Sequence, residues 1–545
     1  MLAEHDGEDE QIPDSIQALI AARIDRLPVD EKRLLQHASV VGRVFWPGSL
    51  EQQRPDADVD TLVAREFVTR EERSTISGEE AFRFKHVLIR DVAYSALSMG
   101  ERAELHASFA GWLAERAGDE LLEIRAYHLD QAVCLHVNLD GSAPDELRVD
   151  AAAALEGAGR RAMQREAFQT ARKQLLRALE LEPTLRRRYL AAHAAWRLVD
   201  IPTVTAEMER VEAEAAAAGE SRIQARALTA LAETALYRNA DVEEARTLIG
   251  RAAEVLGDDD DVDARFDVYS VARAIASWVG DIEEAQRTSR DALEFARSAG
   301  RKDLQAMMIH TLAQDAIIRL DIGEAESLAE QAQELAEESG SVRARAATLG
   351  TQAWIDEIRD RPEAAERSYH ELHQLYTDIG HAAGAGMTQI YLGRLLQAGG
   401  QTSRAETALR EALRILTRIG DRGRLCEAQR LLAQTLVVQG KLDEAERVAL
   451  QALKTVGPED RLFVWTTQMA LGVVWAAQGR HDEAEQLLRY AVDAFVESGH
   501  RFAELQALEE LSRFLRERDR DEEAAPYEER AFALAPVPAR TERIA

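Results

Sequence analysis

Behind residue 148 the apolar positions follow a helical rhythm that breaks at regular intervals, and each break carries the same phrase: a polar turn, a helix start, then an alanine. The phrase reads NADVEEA, GDIEEA, DIGEA, RPEAA, GQTSRA, GKLDEA, GRHDEA and DRDEEA. Its closing alanines are Ala245, Ala285, Ala325, Ala365, Ala405, Ala445, Ala484 and Ala524, separated by 40, 40, 40, 40, 40, 39 and 40 residues. Two weaker copies place Ala171 and Ala206 in the same role, at separations of 35 and 39. A second row of small residues lies 12 positions upstream, at Ala313, Ala353, Gly393, Ala433, Gly472 and Ser512. Two interlocked rows predict two helices per unit whose backbones approach closely, because a larger side chain at either row would wedge the pair apart. A third row, Gly300, Gly340, Gly380 and Gly420, with Gly219, Gly257, Gly457 and Gly499 near the same phase, falls where each second helix should end in a left-handed residue.

The first 130 residues follow a different pattern. SIQALIAARIDRL (15–27) and DEKRLLQHASVVG (30–42) have helical spacing, each opened by an N-cap residue type, Asp14 and Asp30. A shorter helix, DVDTLVAREF, follows Pro55. FVTREERSTISGEEAFRFKH (67–86) places β-branched and aromatic residues on either side of a polar Ser-Gly turn, the pattern of a hairpin. Three helices and a two-stranded wing predict a winged helix. The fold class is therefore all-α, an α-solenoid of about ten helical hairpins over 148–535, preceded by a winged helix and connecting helices over 14–134. A linker over 135–147 joins them, and 1–13 and 536–545 are tails.

The hairpin pattern resembles the tetratricopeptide family, whose first helix carries Leu-Gly-x-x-aromatic; Leu471, Gly472 and Trp475 match it, and Leu392 and Gly393 match in part. The unit here is longer than the family's common one and lacks its closing Pro, and HEAT or armadillo arrays share a period near this one. The paired small residues suit the tetratricopeptide hairpin better. The resemblance implies a concave face lined by first helices, at positions three before and one after the small residue. Those positions include His310, Gln314, Trp354, Arg394, Arg430, Gln434 and Arg513 as candidates for a protein or peptide ligand, with Trp and Arg as the stronger anchors.

The front segment, IPDSIQALIAARIDRLPVDEKRLLQHASVVGRVFW followed by FRFKHVLIRDVAYSAL and ERAELHASFAGWLAE, resembles the stretch behind the ATPase core of bacterial signalling ATPases of the STAND class, especially those fused to adenylate or guanylate cyclase domains. Phe84, His86, Arg90, Asp91 and Tyr94 carry its most specific phrase. The resemblance implies that the winged helix couples to a nucleotide-binding core, in cis or in trans. In some related switch ATPases a winged-helix His touches the nucleotide's phosphates; for His86 a locally hydrogen-bonded role at the wing-to-helix joint is the leading expectation. No G-x-x-x-x-G-K-[ST] occurs, so the chain carries no phosphate cradle of its own, and it is expected to be a piece of a longer ATPase or cyclase, or a regulatory arm alone.

Charge and composition narrow the functions further. A net charge of −30 opposes contact with phosphate backbones and anionic lipid, and the would-be recognition helix carries Asp56, Asp58, Asp60 and Glu66, so a DNA-binding regulator is the weaker alternative. With Cys134 and Cys426 alone there is no disulfide framework, no stretch reaches 18 uninterrupted apolar residues, and the acidic start does not read as a secretory signal; a cytoplasmic protein away from membranes is expected. His128, Cys134 and His136 lack a fourth ligand at zinc spacing, and the aspartates 258–261 with Asp263 lack the Gly and Glu of a calcium loop, so neither metal nor other cofactor is expected. Glu243 and Glu244 read as charge at a helix N-terminus, and no catalytic motif is found.

Overall fold

The computed structural model describes residues 14–53, 58–198, 201–457 and 459–535; Pro55, Asp56 and the two tails lie outside them. The chain divides into two compact units, residues 1–161 with 173–187, and residues 162–172 with 188–545.

The first unit begins with α1 (Asp14–Asp25), α2 (Val29–Val41), strand β1 (Val44–Phe45), a 3-10 segment, α3 (Val59–Ala64), β2 (Val68–Arg70) and β3 (Phe82–Phe84). The hairpin forms as the alternation predicts, with Val68, Thr69 and Arg70 opposite Phe84, Arg83 and Phe82. A third strand, β1, pairs antiparallel on the other edge of β3, so the order is β1-β3-β2. Phe45 on β1 packs on Phe82 and Phe84 at ring distances of 6.0 and 5.6 Å, which explains why two residues suffice for a strand there. Asp30 does not cap α2. Pro28 takes the N-cap position and its carbonyl accepts Lys32 N–H, leaving Asp30 in the first turn, where its charge still suits the helix N-terminus. Asp58 does cap α3, and Asp60 pairs with Arg70 of the wing at 3.1 Å.

Behind the wing run α4 (Val87–Ser95), α5 (Met99–Arg116) and α6 (Leu122–Asp140). Residues 135–140, expected as linker, continue α6 until Gly141 ends it at φ +76°. Trp46 lies on Phe109 and Trp112 of α5, closing a core that joins sheet and helices. Then come α7 (Asp145–Gln164), α8 (Phe168–Leu181), α9 (Leu185–Arg197) and α10 (Ile201–Ala218).

From residue 221 the pairs are regular. The first helices are α11 (Ser221–Thr234), α13 (Val262–Trp278), α15 (Lys302–Ile318), α17 (Val342–Ile358), α19 (Ala382–Ala398), α21 (Arg422–Val438), α23 (Arg461–Ala477) and α25 (Arg501–Arg516). The second helices are α12 (Val242–Leu256), α14 (Ile282–Ser298), α16 (Ile322–Ser339), α18 (Pro362–Asp378), α20 (Thr402–Ile419), α22 (Leu442–Thr455), α24 (His481–Ser498) and α26 (Asp521–Leu534). This is a tetratricopeptide-type solenoid. The alanine ladder Ala245 to Ala524 is buried throughout, as are Ala313, Ala353, Ala433 and Ser512 of the partner row. At Gly393 a Cβ would lie 2.6 Å from Leu409 Cγ of the second helix, so the predicted close approach is real. Ala206 is not a rung: it is exposed, while Val204 and Met208 bury the inner face of α10 in its place. Asp241, Asp281 and Asp321 cap the second helices by accepting the N–H of Glu244, Glu284 and Glu324, so the acidic phrase encodes a cap followed by first-turn charge.

Of the third row, Gly457 does not take the left-handed conformation; its missing Cβ leaves room for the Ala240 carbonyl. A further left-handed row ends the first helices, at Ala240, Gly280, Leu320, Asp360, Gly400, Gly440, Gly479 and Asp519. Half of that row is not glycine, so only the backbone shows it. Among the described residues no helix is long and apolar enough to cross a membrane.

Two glycines with open space around a would-be Cβ separate backbone strain from packing. Gly440→Ala, at φ +74°, should lower stability by about 1–2 kcal/mol. Gly250→Ala, inside α12, should raise it by about 0.5–1 kcal/mol. Shifts of the urea midpoint in the same direction for both variants would contradict this account.

Candidate functional site

Within the second unit the inner helices of successive hairpins enclose a chamber of about 340 Å³. A five-residue π turn, Ala235–Asn239, continues α11 and supplies Leu236 and Tyr237 to its wall. Asp267, Met307, Ala347 and Met387 recur at 40-residue intervals one helical turn before the predicted groove row, and Ser270, His310 and Gly350 stand in that row itself. Phe168, Trp196, Arg197, Glu233, Arg343, Tyr376, Tyr391 and Arg424 complete the part of the lining that carries chemistry.

Contacts between hairpins far apart in sequence close the space. Glu166 accepts hydrogen bonds from Arg343 N–H at 2.6 Å and Ser341 Oγ at 2.9 Å. Trp278 packs edge-on against Phe463 at 5.8 Å and over Gly423, where any Cβ would collide with the indole. Trp354 meets Phe502 edge-on at 5.5 Å. The unit thus winds back on itself, and its concave side is a partly enclosed space over this stretch.

Most charges in the chamber are matched. Arg197 pairs with Asp267 at 3.2 Å, and Arg424 with Asp421 at 2.5 Å while lying over the Tyr237 ring at 4.5 Å. His310 Nδ1 sits 2.7 Å from Thr351 Oγ1, and burial followed by the nearby Arg273 and Arg343 charges lowers its pKa to about 3. His381 accepts Gly384 N–H at 2.9 Å as the cap of α19, and burial with neighbouring Arg343 and Arg424 lowers it to about 3 as well. Both imidazoles are neutral at physiological pH. Burial raises the phenol of Tyr376 to about 12 and shifts those of Tyr237 and Tyr391 upward.

The seven groove residues predicted from the register separate. His310 and Gln314 line the chamber. Trp354 packs on Phe502 and under Arg394, whose guanidinium is held by Glu357 at 2.9 and 3.1 Å. Arg430 is buried, paired with Glu427 at 2.5 Å and bonded to Gln434 Oε1 at 3.0 Å, and Arg513 is exposed and paired with Glu510 at 2.9 Å. The residues that the register rule did not select, Arg197, Glu233, Asp267, Arg343 and the three tyrosines, had a partial signal. Shifting the same 40-residue register back one turn finds Asp267, and continuing the small-residue row to 12 before Ala245 finds Glu233.

In the first unit the motif block forms a connected scaffold. Phe84 is fully buried, and His86 caps α4 by accepting Leu88 N–H at 3.1 Å. Arg90 donates to the Ser39 carbonyl at 2.9 Å and contacts Asp91 at 3.1 Å. Tyr94 lies against the guanidiniums of Arg90 and Arg102 and reaches His106 at 3.1 Å, which in turn meets His128 at 2.7 Å. His128 is thereby engaged away from Cys134, which lies beside Asp130 and Arg177, and from His136, which lies 3.8 Å from Asp140. Among the described residues no group of three His, Cys, Asp or Glu could hold a metal ion. Asp259, Asp260 and Asp261, expected as a solvated turn, are paired with Arg222 and Arg226.

No family model matches the chain, and no curated protein matches it. Solved structures do. Rap protein complexed with competence and sporulation factor aligns with 64% of this chain and 97% of its own length, at 12% identity and a TM-score of 0.51. A signal transduction ATPase with numerous domains and a tetratricopeptide repeat sensor, from Pyrococcus horikoshii, aligns with 91% of this chain and 68% of its own, at 13% identity and a TM-score of 0.39. Aspartyl phosphate phosphatase F from Bacillus subtilis covers 64% and 94%, at 12% identity and 0.40. At these identities the likeness is one of fold, and it is to helical-repeat proteins.

The depressed histidines carry a sign. Their folded pKa lies below the unfolded value of 6.5, so their contribution to stability is complete above pH 6.5 and is lost as pH falls towards 3. His381→Asn, which keeps a capping acceptor, should shrink the fall in melting temperature between pH 6.5 and 4 relative to the parent chain. Identical slopes for the two proteins would remove His381 from this role.

Proposed function

We propose that this chain is the non-catalytic sensor and regulatory arm of a signal-transduction ATPase of the STAND class. In this reading residues 148–535 bind a protein, peptide or small effector on their inner wall, with His310, Gln314, Trp354, Arg394, Arg430, Gln434 and Arg513 as groove residues. Residues 14–134 couple that binding to a nucleotide-binding core, in cis or in trans, and Phe84, His86, Arg90, Asp91 and Tyr94 hold the coupling domain in shape. The protein works in the cytoplasm, without a cofactor, nucleic acid or membrane.

The observation that carries the reading is the partly enclosed chamber on the concave side of the array, lined by six successive hairpins. Such a space suits a ligand that biases an equilibrium between two arrangements of the hairpins. Rap, a protein of similar fold, is complexed with competence and sporulation factor, which supports reading a superhelix of this kind as ligand-binding. The motif block 84–94 ahead of the array supports the coupling role.

The full chain, added to the purified nucleotide-binding core of a STAND-class ATPase from the same organism, is expected to bind it and change its rate of ATP hydrolysis, while hydrolysing none alone. Sedimentation and phosphate release measure the two. Hydrolysis by the chain alone, or a core that neither binds nor changes rate, would overturn the proposal.

A further inference from the structure

The chamber's charges match in pairs except for two. Arg343 and Glu233 both line it, yet among the described residues neither head group has a hydrogen bond or an ion pair within 4 Å; each feels opposite charges, including the other's, only at longer range, whereas Arg197–Asp267 and Arg424–Asp421 are in direct contact around them. The phenol hydroxyls of Tyr237, Tyr376 and Tyr391 are likewise without a partner. Enclosed charges are ordinarily paired, because burying one alone costs several kcal/mol. Burial accordingly shifts both against their charged forms, Arg343 downward and Glu233 upward. Water can hydrogen-bond to either head but brings no opposite charge to both. One molecule carrying a carboxylate and an ammonium does.

We propose that the chamber binds a small zwitterion, a free amino acid or a peptide of two or three residues, with its carboxylate on Arg343 and its ammonium on Glu233. A volume of about 340 Å³ lies at the small end of ligand pockets and excludes a folded partner. Leu236, Met307, Met387 and Trp196 line the space between polar groups, so apolar side chains are favoured. The planar guanidinium accepts a carboxylate in bidentate fashion, which fixes the ligand's direction. Neither group belongs to the predicted groove set, and the proposal rests on the reading of the array as a ligand-binding sensor.

The test uses the full chain. Thermal-shift screening against the twenty free amino acids and pooled di- and tripeptides should find ligands that raise the melting temperature, apolar ones most. Titration calorimetry then compares the best of them with its N-acetyl and C-terminal amide forms, each expected to bind at least tenfold more weakly. Arg343→Gln should abolish the discrimination against the amide and Glu233→Gln that against the acetylated form. A panel with no stabilising member, or capped forms that bind as tightly as the free zwitterion, would overturn the assignment. If the chain still binds and modulates the ATPase core in that event, the zwitterion alone is lost and the sensor reading stands.

Discussion

The close approach of two backbones, permitted by a small residue on each helix of a pair, is the constraint on which the second unit depends. Gly393 and Ala405 illustrate it: the glycine leaves space filled by Leu409, and the alanine four residues before that leucine is itself fully buried. Packing of this density tolerates neither a larger side chain nor a void. Repeated at 40-residue intervals, it holds each hairpin in the same relation to the next, so a small rotation per unit accumulates into a superhelix.

The same device operates a second time between hairpins remote in sequence. Trp278 fits over Gly423, the Ala240 carbonyl over Gly457, and Leu198 lies near Gly380. These contacts close the turn and convert a concave surface into a partly enclosed space. Once it is partly enclosed, a polar group inside finds its partner within the protein, in water or in a ligand. The chain as a whole carries a charge of −30, but the charged residues of the chamber wall are three arginines, Arg197, Arg343 and Arg424, against three carboxylates, Glu233, Asp267 and Asp421. The inner wall therefore follows its own charge balance, set by specific pairs, and the acidic surplus lies elsewhere on the molecule.

The solenoid was legible from residue identities because its governing interaction is local and periodic: a hairpin's two small residues lie 12 positions apart and its copies 40. The wing was legible in part, since period-two alternation marks Val68–Arg70 and Phe82–Phe84, while a two-residue strand such as Val44–Phe45 has no pattern to carry. The closing contacts had no sequence signature at all. Trp278 and Gly423 are 145 positions apart, and nothing in either neighbourhood names the other. For the same reason the register places Trp354 and Arg394 on the groove row without naming their neighbours, which are Phe502 and Glu357. Leu320 and Asp360 show the same blindness at smaller scale. They occupy left-handed positions that the surrounding helices impose, against the preference of their own side chains.

The specific phrase of the first unit has a comparable outcome with a different consequence. His86 spends its Nδ1 on capping α4, Arg90 ties that helix to the end of α2 through the Ser39 carbonyl, and Tyr94 leads into the His106–His128 pair. Burial, with Arg90 and Arg102 beside it, lowers the His106 pKa to about 4, so the pair is uncharged at neutral pH and serves as an internal hydrogen-bonded brace. A motif can thus be specific because it fixes one orientation of a helix behind a wing. The joint between wing and helix, at His86 and Asp91, is where this braced scaffold reaches the surface.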